Sequence, residues 1–319
     1  MRSLLPVDTG PRRRPRRRRA TLLLAVSVVA GGLAACSASP GSGTSASPSR
    51  SSSAAQPSSQ SPTVSSAPLS TKYPNAIVVL GHSGTTGYNS DPAASETDAR
   101  QNSWATGDNP VVQSIYRRLL ALNPAVEGHN TNLGMDGSDV AALGAQVDQA
   151  LELNPIPDLF MIQEVDVDMT SQCDNPDKGA YARFAQTLTD ELTKITTAAP
   201  KAKILLVSSP PGSAQNYGEV VATLPVAKAK NTGTGPCDLF DPSGAAVPAH
   251  WTYQDQIFTT FHAKLAEVCQ KFPTCVYDKG ALYRMTITAK DLAPDGEHLS
   301  IAGLTKQAAL EWKILGFGS

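Results

Sequence analysis

Short apolar runs alternate with longer amphipathic stretches along this chain, and that rhythm restricts the fold more than any other feature. Ala76-Ile-Val-Val-Leu80, Leu159-Phe-Met-Ile162, Lys203-Ile-Leu-Leu-Val207 and Cys275-Val-Tyr277 have the length and composition of strands. A strand that is apolar at successive positions must be covered on both faces, which is the situation of a parallel sheet. Between these runs the spacing predicts helices. One opens at Pro110 and runs to Leu122 with apolar Val111, Ile115, Leu119 and Leu122; others cover 140–153, 181–197, 253–271 and 302–315. A weak strand is expected before Gly134, and 212–250, rich in Gly, Pro and Ala, reads as a long irregular excursion. Strands alternating with helices indicate an α/β three-layer sandwich around a central parallel sheet of about five strands. In such sheets the reactive groups gather at the carboxyl ends of the strands.

The chain before this region is organised differently. Residues 1–35 hold eight arginines and one acid, so the remainder carries 19 bases against 27 acids, a net charge of −8. Nothing in that acidic remainder reads as a nucleic-acid patch. The basic stretch is followed by an apolar run from Thr21 that is too short and too glycine-interrupted to span a membrane well. The run ends at Leu33-Ala34-Ala35-Cys36, small residues before a cysteine in the pattern of a lipobox. Residues 1–35 are therefore expected to be a lipoprotein signal peptide, and Cys36 the lipidated first residue of the mature chain. Buried acyl chains, at ~0.8 kcal/mol per methylene, would hold the protein on the extracytoplasmic face of the cell membrane. Arg18-Arg19 leaves general and twin-arginine export both open. Residues 36–72 are almost entirely Ser, Pro, Ala, Thr, Gly and Gln and read as a flexible tether. The folded domain is expected over 73–319, as a monomer.

Setting Cys36 aside leaves Cys173, Cys237, Cys269 and Cys275, an even number that suits two disulfides outside the cytoplasm. The closeness of Cys269 and Cys275 around a helix end suggests that they pair, which leaves Cys173 with Cys237. No CxxC spacing supports zinc. Asp166 and Asp168, two apart at a strand end, point to opposite sides, so a solvated loop or bonding to nearby backbone is expected there and no metal.

Two places carry chemistry. The first strand runs into Gly81-His82-Ser83-Gly84-Thr85-Thr86-Gly87, a tight turn that exposes a serine where backbone N–H groups can stabilise an anion. Near the far end stands Asp295-Gly296-Glu297-His298, ahead of the last helix. A serine needs a base to take its proton, and a histidine oriented by a carboxylate supplies one. Of the five histidines, 82, 129, 250, 262 and 298, only His298 has a carboxylate three residues before it beside a helix start. Asp295 and Ser300 also suit a helix cap. Trp104 and Trp251 are expected mainly to pack, with a groove-lining role as the alternative.

Ser83 in GxSxxxG with Asp295 and His298 in DxxH resembles the SGNH (GDSL-type) hydrolase family over roughly 74–315, and the GHSGTTGYNSDP form resembles an exported actinobacterial branch of it. The resemblance implies a flavodoxin-like sheet and a serine esterase in which Ser83 attacks, His298 is the base and Asp295 orients it. It also implies an oxyanion hole made by the N–H groups of Ser83 and of Gly137 in Asn132-Leu-Gly-Met-Asp-Gly137, with Gly134 as the alternative. It calls for no cofactor, and for an ester-bearing small molecule, lipid or acylated glycan as substrate. Three positions depart from the family. His82 replaces the aspartate of GDS; Val165 and Val167 replace the glycine and asparagine of GxND, so a side-chain donor to the oxyanion is missing unless another, such as Gln163, takes its place.

Overall fold

The computed structural model describes residues 70–318; the signal segment, Cys36 and the tether up to residue 69 lie outside the described residues. Five strands form one sheet: β1 (Ile77–Gly81), β2 (Asn130–Asn132), β3 (Leu159–Gln163), β4 (Lys203–Val207) and β5 (Cys275–Tyr277). All are parallel, in the order β2-β1-β3-β4-β5, with Ile77 level with both Asn130 and Leu159. This is the flavodoxin-like order, whose topological switch point lies between β1 and β3.

Alternation along the strands sorts their side chains into two cores. Ile77 and Val79 of β1 face a layer holding α2 (Ile115–Leu122) and α9 (Ile301–Leu315), through Ile115, Leu119, Leu304 and Trp312. Val78 and Leu80 face α3 (Leu143–Leu151), α5 (Ala180–Ala198) and α8 (Pro248–Cys269), through Leu143, Phe184, Leu188 and Phe261. β1 and β3 are thereby buried on both faces, as their apolar sequences require. Among the described residues no helix is long and apolar enough to cross a membrane.

Three sequence expectations change. The helix expected from Pro110 begins only at Ile115, because Gln113 turns left-handed (φ 51°) and Ser114 caps the helix by accepting from Arg117 N at 3.1 Å. Val111 is left 63 % exposed. Asp166 and Asp168 stand on neither a strand end nor a loop, but in the first turn of α4 (Asp166–Asp174). The 212–250 excursion contains two helices, α6 (Ala214–Val221) and α7 (Pro225–Lys230). Cys173 on α4 is bonded to Cys237 of that excursion, and Cys269 at the end of α8 to Cys275 of β5, with Cα atoms 5.7 and 5.3 Å apart.

Candidate active site

Gly81 ends β1 at φ 134°, and a Cβ there would stand 2.0 Å from the carbonyl oxygen of Gln163 on β3. Only glycine allows the chain to leave the sheet so close to its neighbour. His82 then caps the short helix α1 (Ser83–Thr86), and Ser83 occupies its first position. The Ser83 N–H therefore has no acceptor within the helix.

On the opposite side of the crevice, Asp295 Oδ1 accepts from the N–H groups of Glu297 (2.9 Å) and His298 (3.1 Å), which folds the DxxH segment into a closed turn. Gly296 lies at φ 72°, and a Cβ there would meet Ala227 of α7 at 2.2 Å. The turn brings His298 Nδ1–H to Asp295 Oδ2 at 2.7 Å and His298 Nε2 to the Ser83 hydroxyl at 2.8 Å. Burial disfavours charge on both partners, but the bond between them outweighs it. Asp295, which also accepts from Asn89 Nδ2, is held well below the usual carboxylate range, and His298 is raised above 6.5 by that bond and by the Asp295 charge. The result is a hydroxyl bonded to a basic imidazole whose tautomer is set by a carboxylate.

His82 has a different role. It is 2 % exposed, its Nδ1 accepts from Gly84 N–H at 3.0 Å, and burial pushes its pKa down. The proton of the neutral ring therefore sits on Nε2, which faces Ser209 Oγ at 3.3 Å and Asp166 Oδ2 at 3.4 Å. The ring pins the nucleophile turn to the start of α4 and to the end of β4.

Of the candidate oxyanion glycines, Gly134 donates its N–H to Asn132 Oδ1 at 3.0 Å and packs against Thr85, so it serves the turn. Gly137, at φ 67°, lines the cleft with Ser83. Gln163 is largely committed beneath the nucleophile turn. Its Oε1 accepts from Trp104 Nε1 and Gln307 Nε2, both at 2.9 Å, and its Nε2 donates to Ser209 Oγ at 3.3 Å. Trp104 is fully buried and Trp251 donates to Leu239 O at 3.1 Å, so both pack.

The departures after β3 are visible in the backbone. Val165 keeps a positive φ of 116°, a conformation suited to the glycine of the resembled motif and strained for a β-branched residue, at a cost of ~1–3 kcal/mol. Its side chain is fully buried in the core under α3 and α5. Val167, one residue into α4, lines the cleft and offers no side-chain donor. Asp168 accepts from Val140 N at 3.2 Å and is pushed up to about 7, chiefly by burial. Glu164 is buried with neither carboxylate oxygen bonded, and burial raises its pKa far above the normal range. Among the described residues, no three His, Cys, Asp or Glu side chains are grouped to hold a metal ion.

No motif in the sequence announces the residues that hold the triad. Asn89, itself left-handed (φ 57°), bonds Asp295. Tyr88 packs on the His298 ring with centroids 4.9 Å apart. From the excursion, Tyr217 of α6 donates to Gly296 O at 3.1 Å and Lys230 of α7 to Asp295 O at 3.4 Å. The one available signal was Asn89-Ser-Asp-Pro following the nucleophile turn, a cluster of turn formers. All of these residues border one cleft of about 1020 Å³ at the carboxyl ends of the strands.

No protein-family model matches the chain, and no curated protein matches it. Among solved structures it is similar to a GDSL-like lipase from Parabacteroides merdae (TM-score 0.48, 17 % identity, covering 76 % of this chain and 96 % of that one). It is also similar to an acetyl xylan esterase (TM-score 0.47, 12 % identity, 74 % and 98 %). A third is an alpha/beta hydrolase enzyme from the metagenome of Lake Arreo, Spain (TM-score 0.47, 16 % identity, 76 % and 96 %). Likeness at this level assigns no activity, and the chemistry rests on the geometry of the cleft.

Proposed function

We propose that this chain is a serine esterase of the SGNH type, anchored through Cys36 on the extracytoplasmic face of the membrane, that cleaves carboxylic esters without a cofactor. The observation that carries the reading is the unbroken chain Ser83–His298–Asp295, with links of 2.8 and 2.7 Å, at the mouth of an open cleft. In this reading Ser83 Oγ attacks the ester carbonyl while His298 Nε2 takes its proton. Asp295 stabilises the imidazolium, and the N–H groups of Ser83 and Gly137 receive the oxyanion. The tetrahedral intermediate collapses as His298 returns the proton to the leaving alcohol, and water then releases the acyl group by the same steps in reverse roles. The test is hydrolysis of short-chain p-nitrophenyl esters by the wild type and by Ser83→Ala. Equal rates for the two proteins sink the mechanism.

The lack of a donor on Val167 favours one rival: a lipoprotein that binds a cell-envelope sugar or lipid in the same cleft without turning it over. A fluorophosphonate probe separates the two readings. Ser83 labelled in the wild type supports the esterase; a folded protein that stays unlabelled supports the binder. For the anchor, Cys36→Ser is expected to move the protein from the membrane fraction to the soluble one; unchanged fractionation removes lipidation from the proposal.

A further inference from the structure

The two walls of the cleft come from different segments of the chain. Because the strand order is β2-β1-β3-β4-β5, the Ser83 turn after β1 stands between the segments that follow β2 and those that follow β3 and β4. On the β3–β4 side the lining includes apolar Val167, Met169, Pro211 and Phe258 together with Asp166, Thr170 and Gln254, and Asp166 is engaged with His82. The other wall, built from the segments after α1 and β2, carries Tyr88, Glu96 and Asp136.

That second wall adjoins the base. The Tyr88 ring lies against His298, and its phenol is raised by desolvation and then by the negative charges of Asp136, Glu96, Asp295 and Asp98. Asp98 is paired with Arg100 at 3.1 Å, and the same guanidinium also donates to the carbonyls of Asn132 and Gly134. Among the described residues no cation pairs with Glu96 or Asp136; the Thr86 hydroxyl donates to Asp136 at 3.1 Å, while burial and the neighbouring Asp98 raise the Asp136 pKa, so Glu96 is the clearer charge. Lys230, the one lysine of the lining among the described residues, is directed at the Asp295 carbonyl. The base must hand its proton to the departing alcohol, so the alcohol has to lie against His298 and therefore beside Tyr88. An aromatic face beside carboxylates that no basic group neutralises attracts a cation and repels an anion.

Resting on the esterase reading, we infer that the preferred substrate is an ester of an apolar acid with a positively charged alcohol, its alkylammonium group seated on Tyr88 near Glu96 and Asp136. The acyl chain then lies along the side chains of Val167, Met169 and Phe258.

The test compares kcat/KM of the detergent-solubilised full chain for butyrylcholine, its neutral isostere 3,3-dimethylbutyl butyrate and anionic 3-sulfopropyl butyrate. A preference for the cation over the neutral ester of about tenfold is expected at low ionic strength, with the anion last. The preference should shrink at about 0.5 M salt and in Glu96→Gln and Tyr88→Leu. Equal constants for the three esters, or a preference for the sulfonate, overturn the inference and leave the esterase standing. If Ser83 is inert toward all three esters and toward fluorophosphonate, the esterase reading fails instead. The subsite is then decided on Ser83→Ala titrated with tetramethylammonium and followed by tyrosine ring NMR. Saturable shifts that weaken in Glu96→Gln support it; no saturation by about 100 mM, affinity worse than ~1.4 kcal/mol, overturns it.

Discussion

Replacing Val167 by asparagine is expected to raise esterase turnover, and the size of the rise follows from the geometry. Val167 lies in the first turn of α4, half-buried on the cleft wall, and α4 is joined to the nucleophile turn through Asp166 and His82. Two backbone donors face the developing oxyanion in the proposed mechanism, Ser83 N–H and Gly137 N–H. An amide at 167 would add a third. A hydrogen bond to a charged group contributes about 1.5–3 kcal/mol, and when it forms only in the transition state that is about 10- to 150-fold in rate. Removing a single oxyanion donor from other hydrolases costs ~10²–10³, which sets the upper bound. The gain should appear in kcat with KM little changed, because the ground-state carbonyl oxygen does not yet occupy the hole. Asparagine is tolerated in a first helical turn, so the change in stability should stay within about 1 kcal/mol. The assay is steady-state hydrolysis of p-nitrophenyl butyrate, with Val167→Asn/Ser83→Ala as the blank and thermal melting as the check on folding. A kcat within about twofold of wild type in a variant that melts normally would refute the reasoning, because it would mean that position 167 does not address the oxyanion or that another donor already does.

Other outcomes follow from the same structure. His298 must be neutral to act as base, and its bonds to Asp295 raise its pKa, so kcat/KM should fall as pH drops through a value above 6.5; a flat profile between about pH 5 and 8 excludes it as the base. Glu164 is buried without partners and its folded pKa is raised, so its contribution to stability is complete below the unfolded carboxylate pKa of about 4.3 and is lost as pH rises. Glu164→Gln should therefore raise the melting temperature at about pH 8 and change it far less at about pH 4; parallel melting curves at the two values contradict this. The Cys173–Cys237 bond closes a loop of 64 residues and ties the wall carrying Tyr217 and Lys230 to α4. Replacing both cysteines by serine should cost about 2–4 kcal/mol in chemical denaturation, and an unchanged midpoint would show that the loop is held by other contacts. Asn89→Ala should lower kcat and shift the acid limb of the pH profile, since it removes a bond to Asp295; a lower kcat with the limb unmoved would mean that Asn89 only shapes the turn.

Several features were legible in the residues alone because their causes are local. Leu159–Ile162 was legible as a covered strand, since a short apolar run between turn-forming and polar residues suits a strand buried on both faces. The DxxH turn was readable because Asp295 and His298 are three residues apart and bond within their own segment. Pairing Cys269 with Cys275 followed from a separation of 6. Ser83 stood out as a candidate nucleophile from its flanking glycines taken together with the distant DxxH, and the sheet requires one of those glycines at φ 134°.

What remained hidden depends on residues far apart in the chain. Ser83 and His298 are separated by 215 positions, and only the parallel order of the strands brings β1 and the last turn to the same edge. The 212–250 excursion has the composition of a loop, yet it folds as α6 and α7 against the Asp295 turn, because Tyr217 and Lys230 find acceptors there that no periodicity announces. Val165 looks like a core residue, which it is, but its positive φ is imposed by the passage from β3 into α4 over a core that buries its side chain completely. The helix expected from Pro110 starts late because a left-handed Gln113 and the Ser114 cap outweigh the apolar spacing. The layered sheet and the types of groups at its carboxyl edge were written in the residues, since both follow from hydrophobic period and side-chain chemistry. That His82 is a buried brace and that Tyr88 and Glu96 stand on the wall beside the base came from the folded arrangement, because burial and distance are properties of packing and not of neighbours in the chain.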